Sequence, residues 1–134
     1  MIKMKKIIIV ALLILSISSL NAQTTPSSDN DITKYLKFTN DNYDMGKIPN
    51  GKPVEYNVDV QNISNSNITL DNVIVGCGCT TPKYTKNQVL TPGAHAIITL
   101  GFNGLAIGPF SKSATLFFSG NLVKPVSFHG EGVQ

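Results

Sequence analysis

Val54, Tyr56, Val58 and Val60 alternate with Glu55, Asn57, Asp59 and Gln61. Apolar residues on one phase of a two-residue period mark a strand with one face buried and one face in water. The pattern recurs downstream. Ala94, Ala96, Ile98, Leu100 and Phe102 alternate with His95, Ile97, Thr99 and Gly101, while Phe110, Ala114, Leu116 and Phe118 share a face, as do Val126 and Phe128. Ile68 to Val75 reads as a strand whose phase slips at Asp71 and Asn72, where a bulge is expected. Leu36 to Phe38 and Tyr43 to Ile48 supply the first strand or two. Asn62 to Asn67, Thr91 to Gly93 and Ser119 to Asn121 read as turns, because these residue types bond local backbone or accept turn geometry. About seven short strands at this spacing predict an all-β domain, a two-layer antiparallel sandwich of immunoglobulin-like form. Its expected core is Tyr56, Val58, Val60, Ile98, Leu100, Leu116, Phe118 and Phe128.

The start of the chain follows a different pattern. Met1 to Lys6 is short and basic, Ile7 to Leu20 is apolar, and Ala22 offers a small residue for cleavage. Residues 1–22 are therefore expected to be a signal peptide, with the mature chain beginning at Gln23. The apolar run is shorter than the ~20 residues that cross a bilayer, so no stable membrane span is expected after cleavage. An uncleaved N-terminal anchor is the alternative. Residues 23–35, with Pro26, Ser27, Ser28 and Asn30, read as a flexible polar leader, and residues 36–134 as the sandwich domain. Localisation is then periplasmic or extracellular. Of eleven lysines, Lys3, Lys5 and Lys6 leave with the signal, and the remaining eight balance eight carboxylates with no arginine present. No basic run is left to hold a phosphate backbone, which excludes nucleic acid as a partner.

The two cysteines lie in the motif Cys77-Gly78-Cys79-Thr80. Export takes thiols into an oxidising compartment, where they tend to pair. On a flat strand alternate side chains point to opposite faces, so a bridge between these two requires a tighter turn, which Gly78 should ease by lacking a Cβ. Such a bridge closes a very small ring and is expected to be strained and readily reduced. Four roles compete. The pair can be structural, packed as small apolar residues or passively bridged. It can be a soft-metal site, two thiolates suiting Cu(I) or half of a zinc site. It can exchange thiols, although the spacing is not Cys-x-x-Cys and no βαβ pattern surrounds it. It can pair between chains. His95 and His129 fall on water-facing phases outside the motif, so no Cys2His2 site, metal or other cofactor is expected. Lys83 and Lys86 are the nearby cations, both expected to face solvent. Pro82 restricts Thr81 and lacks a donor, so the strand should stop there. No catalytic residues are expected: there is no Gly-x-Ser-x-Gly elbow, no calcium-loop spacing among Asp41, Asp44, Asp59 and Asp71, and no glycine-rich phosphate loop.

Phe38, then Tyr43-Asp44-Met45-Gly46-Lys47-Ile48, Gly51, Asn62, Cys77-Gly78-Cys79-Thr80 with Pro82, Pro92-Gly93, Gly108, Phe110, Lys112 and Gly130 follow one another in an order that resembles the bacterial family called domain of unknown function 1573. The resemblance runs from about Phe38 to Val133, with the cysteine block its most specific part; Met45 stands where the family usually has Phe. It implies an exported immunoglobulin-like fold, related to chaperone and cytoskeletal sandwiches, and no established activity. The expected function is an exported β-sandwich module, non-enzymatic, with a role in the envelope or in binding an unidentified protein partner through its edge strands. The competing class is a periplasmic redox or soft-metal-handling protein acting through Cys77 and Cys79.

Overall fold

The computed structural model describes residues 31–134; the expected signal peptide, its cut after Ala22 and most of the leader lie outside the described residues. Among the described residues the alternating segments form nine strands: β1 (Leu36–Thr39), β2 (Asn42–Pro49), β3 (Val54–Asn62), β4 (Ile68–Val75), β5 (Thr80–Lys83), β6 (Gln88–Leu90), β7 (His95–Phe102), β8 (Gly108–Phe118) and β9 (Leu122–Val133). A four-stranded sheet in the order β1-β3-β7-β5 faces a five-stranded sheet in the order β2-β9-β8-β4-β6. Ahead of them Ile32–Lys34 makes one 3-10 turn. Its Asp31 cap accepts the Thr33 hydroxyl at 2.6 Å and the Thr33 amide at 3.1 Å, contacts that hold the Asp31 carboxyl below its ordinary range. Ile32 packs on the core, so the last residues of the stretch read as leader are tied to the domain.

All eight expected core residues are buried between the sheets, joined by Leu36, Leu70, Leu90 and Phe102 among others. Aromatic rings run through the middle: Phe102 lies 4.7 Å from Phe110 and 5.7 Å from Phe128, and Phe128 lies 5.5 Å from Tyr56. Asn62 is one of two buried polar residues among the described residues, the other being Thr80. The Asn62 side-chain amide donates to the carbonyls of Ser66 (2.7 Å) and Leu90 (2.8 Å), and its Oδ1 accepts from the Ser64 amide (2.9 Å) and hydroxyl (2.7 Å). Every polar site of that side chain is thus matched, which is what makes its full burial affordable. The expected bulge in β4 is present as a register shift between Leu70 and Asn72 against β8.

Three expectations are corrected. The strands number nine rather than about seven, and the sandwich is not wholly antiparallel, because β2 pairs with β9 in parallel. The cause is a change of sheet early in the chain. β1 pairs with β3 in one sheet; Asn40 then takes a left-handed φ of 64° and donates to the Asn57 carbonyl, and β2 enters the other sheet beside β9. Nor does Pro82 end a strand: it lies inside β5, at a sheet edge. The Asn103 amide donates to the Cys79 carbonyl at 3.0 Å, so alternation turns Cys79, Thr81 and Lys83 toward β7. The Pro82 nitrogen then faces the open edge, where a missing N–H removes no ladder bond.

Candidate functional site

The Cys77–Cys79 turn lies at the end of the sandwich where β4 stops, β5 starts and β7 stops, beside Ser113 of β8. Three backbone bonds fix it there. The Gly76 amide donates to the Ser113 carbonyl (3.2 Å), the Thr80 amide closes back on the Cys77 carbonyl (3.3 Å), and Asn103 holds the Cys79 carbonyl. The chain bends over residues 76–79 instead of running extended, which brings the two sulfurs together as a disulfide with Cα atoms 5.3 Å apart. The role expected of Gly78 is corrected. Its φ is not left-handed and a Cβ built on it meets nothing within 4 Å, so the turn does not depend on glycine at that position.

The two cysteines have unequal surroundings. Cys79 packs against the hydrophobic core, whereas Cys77 lines an open cleft of about 240 Å³ with Gly76, Ser111, Lys112 and Ser113. Thr80, only 4% exposed, places its hydroxyl 3.9 Å from the Cys77 sulfur and 3.8 Å from the Cys79 sulfur. The motif's fourth residue is therefore the polar group that both sulfurs share, a role its place in the motif did not specify.

The histidines stand apart from the sulfurs. His95 begins β7, at the far end of that strand from Phe102, and its Nδ1 lies 2.8 Å from Asp59. His129 on β9 lies 3.9 Å from the Asp44 carboxylate. Among the described residues no group of three or more His, Cys, Asp or Glu side chains is arranged to hold a metal. Lys83 pairs with Glu55 on the exposed face of the four-stranded sheet. With the sulfurs joined, the thiolates that a soft metal requires exist only after the bridge is opened.

A second feature escaped the alternation pattern. The outer face of the four-stranded sheet carries Glu55, Asn57, Asp59, His95, Thr99 and Lys83, linked by side-chain contacts such as Thr99 to Asn57 at 2.8 Å. On that face Ile97 is, among the described residues, the single exposed apolar side chain, whereas the outer face of the five-stranded sheet carries several apolar side chains among polar ones such as Asn72 and Thr115. Val89, Ile74 and Val123 are 54%, 53% and 47% exposed, and Phe117 stands between Asn72 and Val123 in the pairing register. Consecutive apolar pairs, Val73-Ile74, Val89-Leu90, Phe117-Phe118 and Leu122-Val123, were the available signal, since one member of each must face outward. The sheet edges are poor templates for a partner strand. β1 and β6 have four and three residues, β5 carries Pro82, and β2 breaks register between Asp44 and Lys47. Among the described residues no helix is long and apolar enough to cross a membrane.

Residues 36–131 match the model of the family described as "Protein of unknown function (DUF1573)". No curated protein matches the chain by sequence. Among solved structures it is similar to the VesB protease of Vibrio cholerae, with a TM-score of 0.62 and 15% identity over 75% of this chain and 32% of that one. It is also similar to a protein of unknown function from Porphyromonas gingivalis W83, with a TM-score of 0.59 and 11% identity over 72% of this chain and 46% of that one. The PapD-like domain 7 of human CEP192 gives a TM-score of 0.57 and 9% identity over 75% of this chain and 86% of that one. The chain thus spans less than half the length of the first two. At these identities the likeness shows the fold alone: an immunoglobulin-like, PapD-like sandwich.

Proposed function

The chain belongs to the DUF1573 family, and from that premise we propose that it is an exported protein-binding module whose contact surface is the outer face of the five-stranded sheet. The observation that carries this reading is the contrast between the two outer faces. One is laced with charged and polar pairs around the single exposed Ile97; the other presents Ile74, Val89 and Val123 about half exposed on the same face as Phe117, with Thr69, Asn72 and Thr115 among them. A cluster of exposed apolar side chains on one face of a folded domain marks an interaction site. Partner-strand addition, the mode expected from the sequence, has less support because each edge is short, bulged or interrupted by proline. Export is supported by the lysine-rich start, the apolar run and Ala22, and a disulfide suits an oxidising compartment.

The test is a double variant, Ile74→Lys with Val123→Lys. Both side chains are about half in solvent, so the fold should survive. In-cell crosslinking of the wild-type chain should trap a partner in the envelope fraction, and the double variant should lose it. A variant that folds and crosslinks to the same partner as wild type would remove this face from the proposal. N-terminal sequencing of the exported form should read from Gln23; a form retaining Met1 in the membrane fraction would favour the uncleaved anchor.

A further inference from the structure

The disulfide is placed for chemistry more than for holding the fold, and we infer that Cys77–Cys79 is an exchangeable bridge that accepts two electrons from the dithiol of a partner protein. Three observations converge. The bridge spans a sequence separation of 2 inside a single turn between β4 and β5, so it links no distant parts of the sandwich. Loop-closure stabilisation grows with the length enclosed, and here it is near its minimum. The approach to it is open: Gly78 is exposed with free space above it, and Cys77 lines the cleft with Ser111, Lys112 and Ser113. The two sulfurs are also inequivalent, because Cys79 rests on the core while Cys77 lines the cleft; both lie near the buried Thr80 hydroxyl.

This asymmetry assigns the steps. A thiolate of the partner attacks the Cys77 sulfur in line with the bridge. A new sulfur–sulfur bond joins partner and Cys77, the Cys77–Cys79 bond breaks, and its electron pair leaves on Cys79. There the Thr80 hydroxyl donates a hydrogen bond to the emerging thiolate, and a better-stabilised leaving thiolate departs faster. The partner's second thiol, once deprotonated, attacks the partner's own sulfur in the mixed disulfide and releases Cys77 as a thiolate. The partner dithiol ends as a disulfide, and its two protons and two electrons end on Cys77 and Cys79. Leu105 and Ile107, 68% and 67% exposed, lie on the loop that follows Asn103, the residue bonded to Cys79. They are exposed apolar side chains on the segment that leaves the Cys79 contact. The Cys77 cleft lies at the margin of the sheet face proposed above, beyond the end of β4, and either reading can fail without the other.

The test uses the purified chain with dithiothreitol as the dithiol, quenched by alkylation and weighed by mass spectrometry, with far-UV circular dichroism recorded alongside. The wild-type bridge should open completely while the β spectrum is unchanged. Cys79→Ser should form a mixed disulfide with oxidised glutathione at Cys77 at least about tenfold faster than Cys77→Ser does at Cys79. Thr80→Val should slow opening of the bridge at least about tenfold, the size of one lost charge-assisted hydrogen bond, and Thr80→Ser should restore it. A bridge that opens only as the domain unfolds overturns the proposal. Equal rates for the two single-cysteine variants overturn the assignment of Cys77 as the attacked sulfur. A Thr80→Val rate equal to wild type overturns the role of the hydroxyl.

Discussion

Replacing Tyr56 by Phe should leave the domain as stable as before at neutral pH, or more stable, and should remove part of its sensitivity to alkali. Tyr56 is 6% exposed on β3, its ring stacked on Tyr43 at 4.7 Å and edge-on to Phe128 at 5.5 Å. Its hydroxyl is buried without a hydrogen-bond partner. Burial first, and the negative charge of Asp41 second, push its ionisation up from 10.0 to about 12. The folded state therefore favours the neutral phenol. Between pH 10 and 12 the unfolded chain sheds this proton and the folded chain keeps it, so stability falls as pH rises. The contribution is fully present below pH 10 and is lost as pH passes about 12. A two-unit difference corresponds to roughly 2–3 kcal/mol. At neutral pH, Tyr56→Phe keeps the ring contacts and removes an unpaired buried hydroxyl, whose desolvation costs about 1–3 kcal/mol. The assay is urea unfolding of both proteins from pH 7.5 upward, with tyrosinate absorbance followed in the folded state. The stability of the variant should rise relative to wild type through this interval, and the difference titration should centre near 12. Loss of more than about 1 kcal/mol in the variant at pH 7.5 would show that the hydroxyl is bonded. Parallel stability curves would show that Tyr56 is not held neutral by the fold.

Other substitutions probe the packing and the turns. Leu116→Ala, at a fully buried site, should cost ~2–5 kcal/mol by chemical denaturation. Asn62→Ala should cost about 2 kcal/mol, because it strands the Leu90 carbonyl and the Ser64 amide, while the Ser64 hydroxyl keeps its bond to the Ser66 carbonyl. Gly78→Ala should change the melting temperature little, whereas Gly132→Ala should strongly destabilise, because its Cβ would collide with the Ala106 carbonyl.

Much of the sandwich was legible because burial and alternation carry the same information. Val58, Val60, Ile98 and Leu116 lie at 0% exposure on the phase that the pattern marked as inward. Asn62 was legible as a turn residue but not as the buried hub of four hydrogen bonds, since one of its acceptors, the Leu90 carbonyl, is distant in sequence. β5 and β6 were not legible. Strands of four and three residues, one carrying a proline, have too few positions to show a period, and they exist because β7 and β4 offer them paired edges. Gly78 illustrates the opposite error: a glycine at a bend suggested a conformational need that the backbone does not have.

The candidate site divides along the same line. The sequence alone determined that two thiols separated by one residue lie between strands, and that any bridge within the chain must join them to each other. It also determined the all-β class, because a period of two is a local property of the chain. Only the tertiary structure decided that Cys79 rests on the core while Cys77 opens to a cleft, and that Thr80, the first residue of β5, is buried with its hydroxyl near both sulfurs. It likewise decided which sheet would keep several exposed apolar side chains on its outer face. These are relations between segments brought together by packing, and no local pattern encodes which segments will meet.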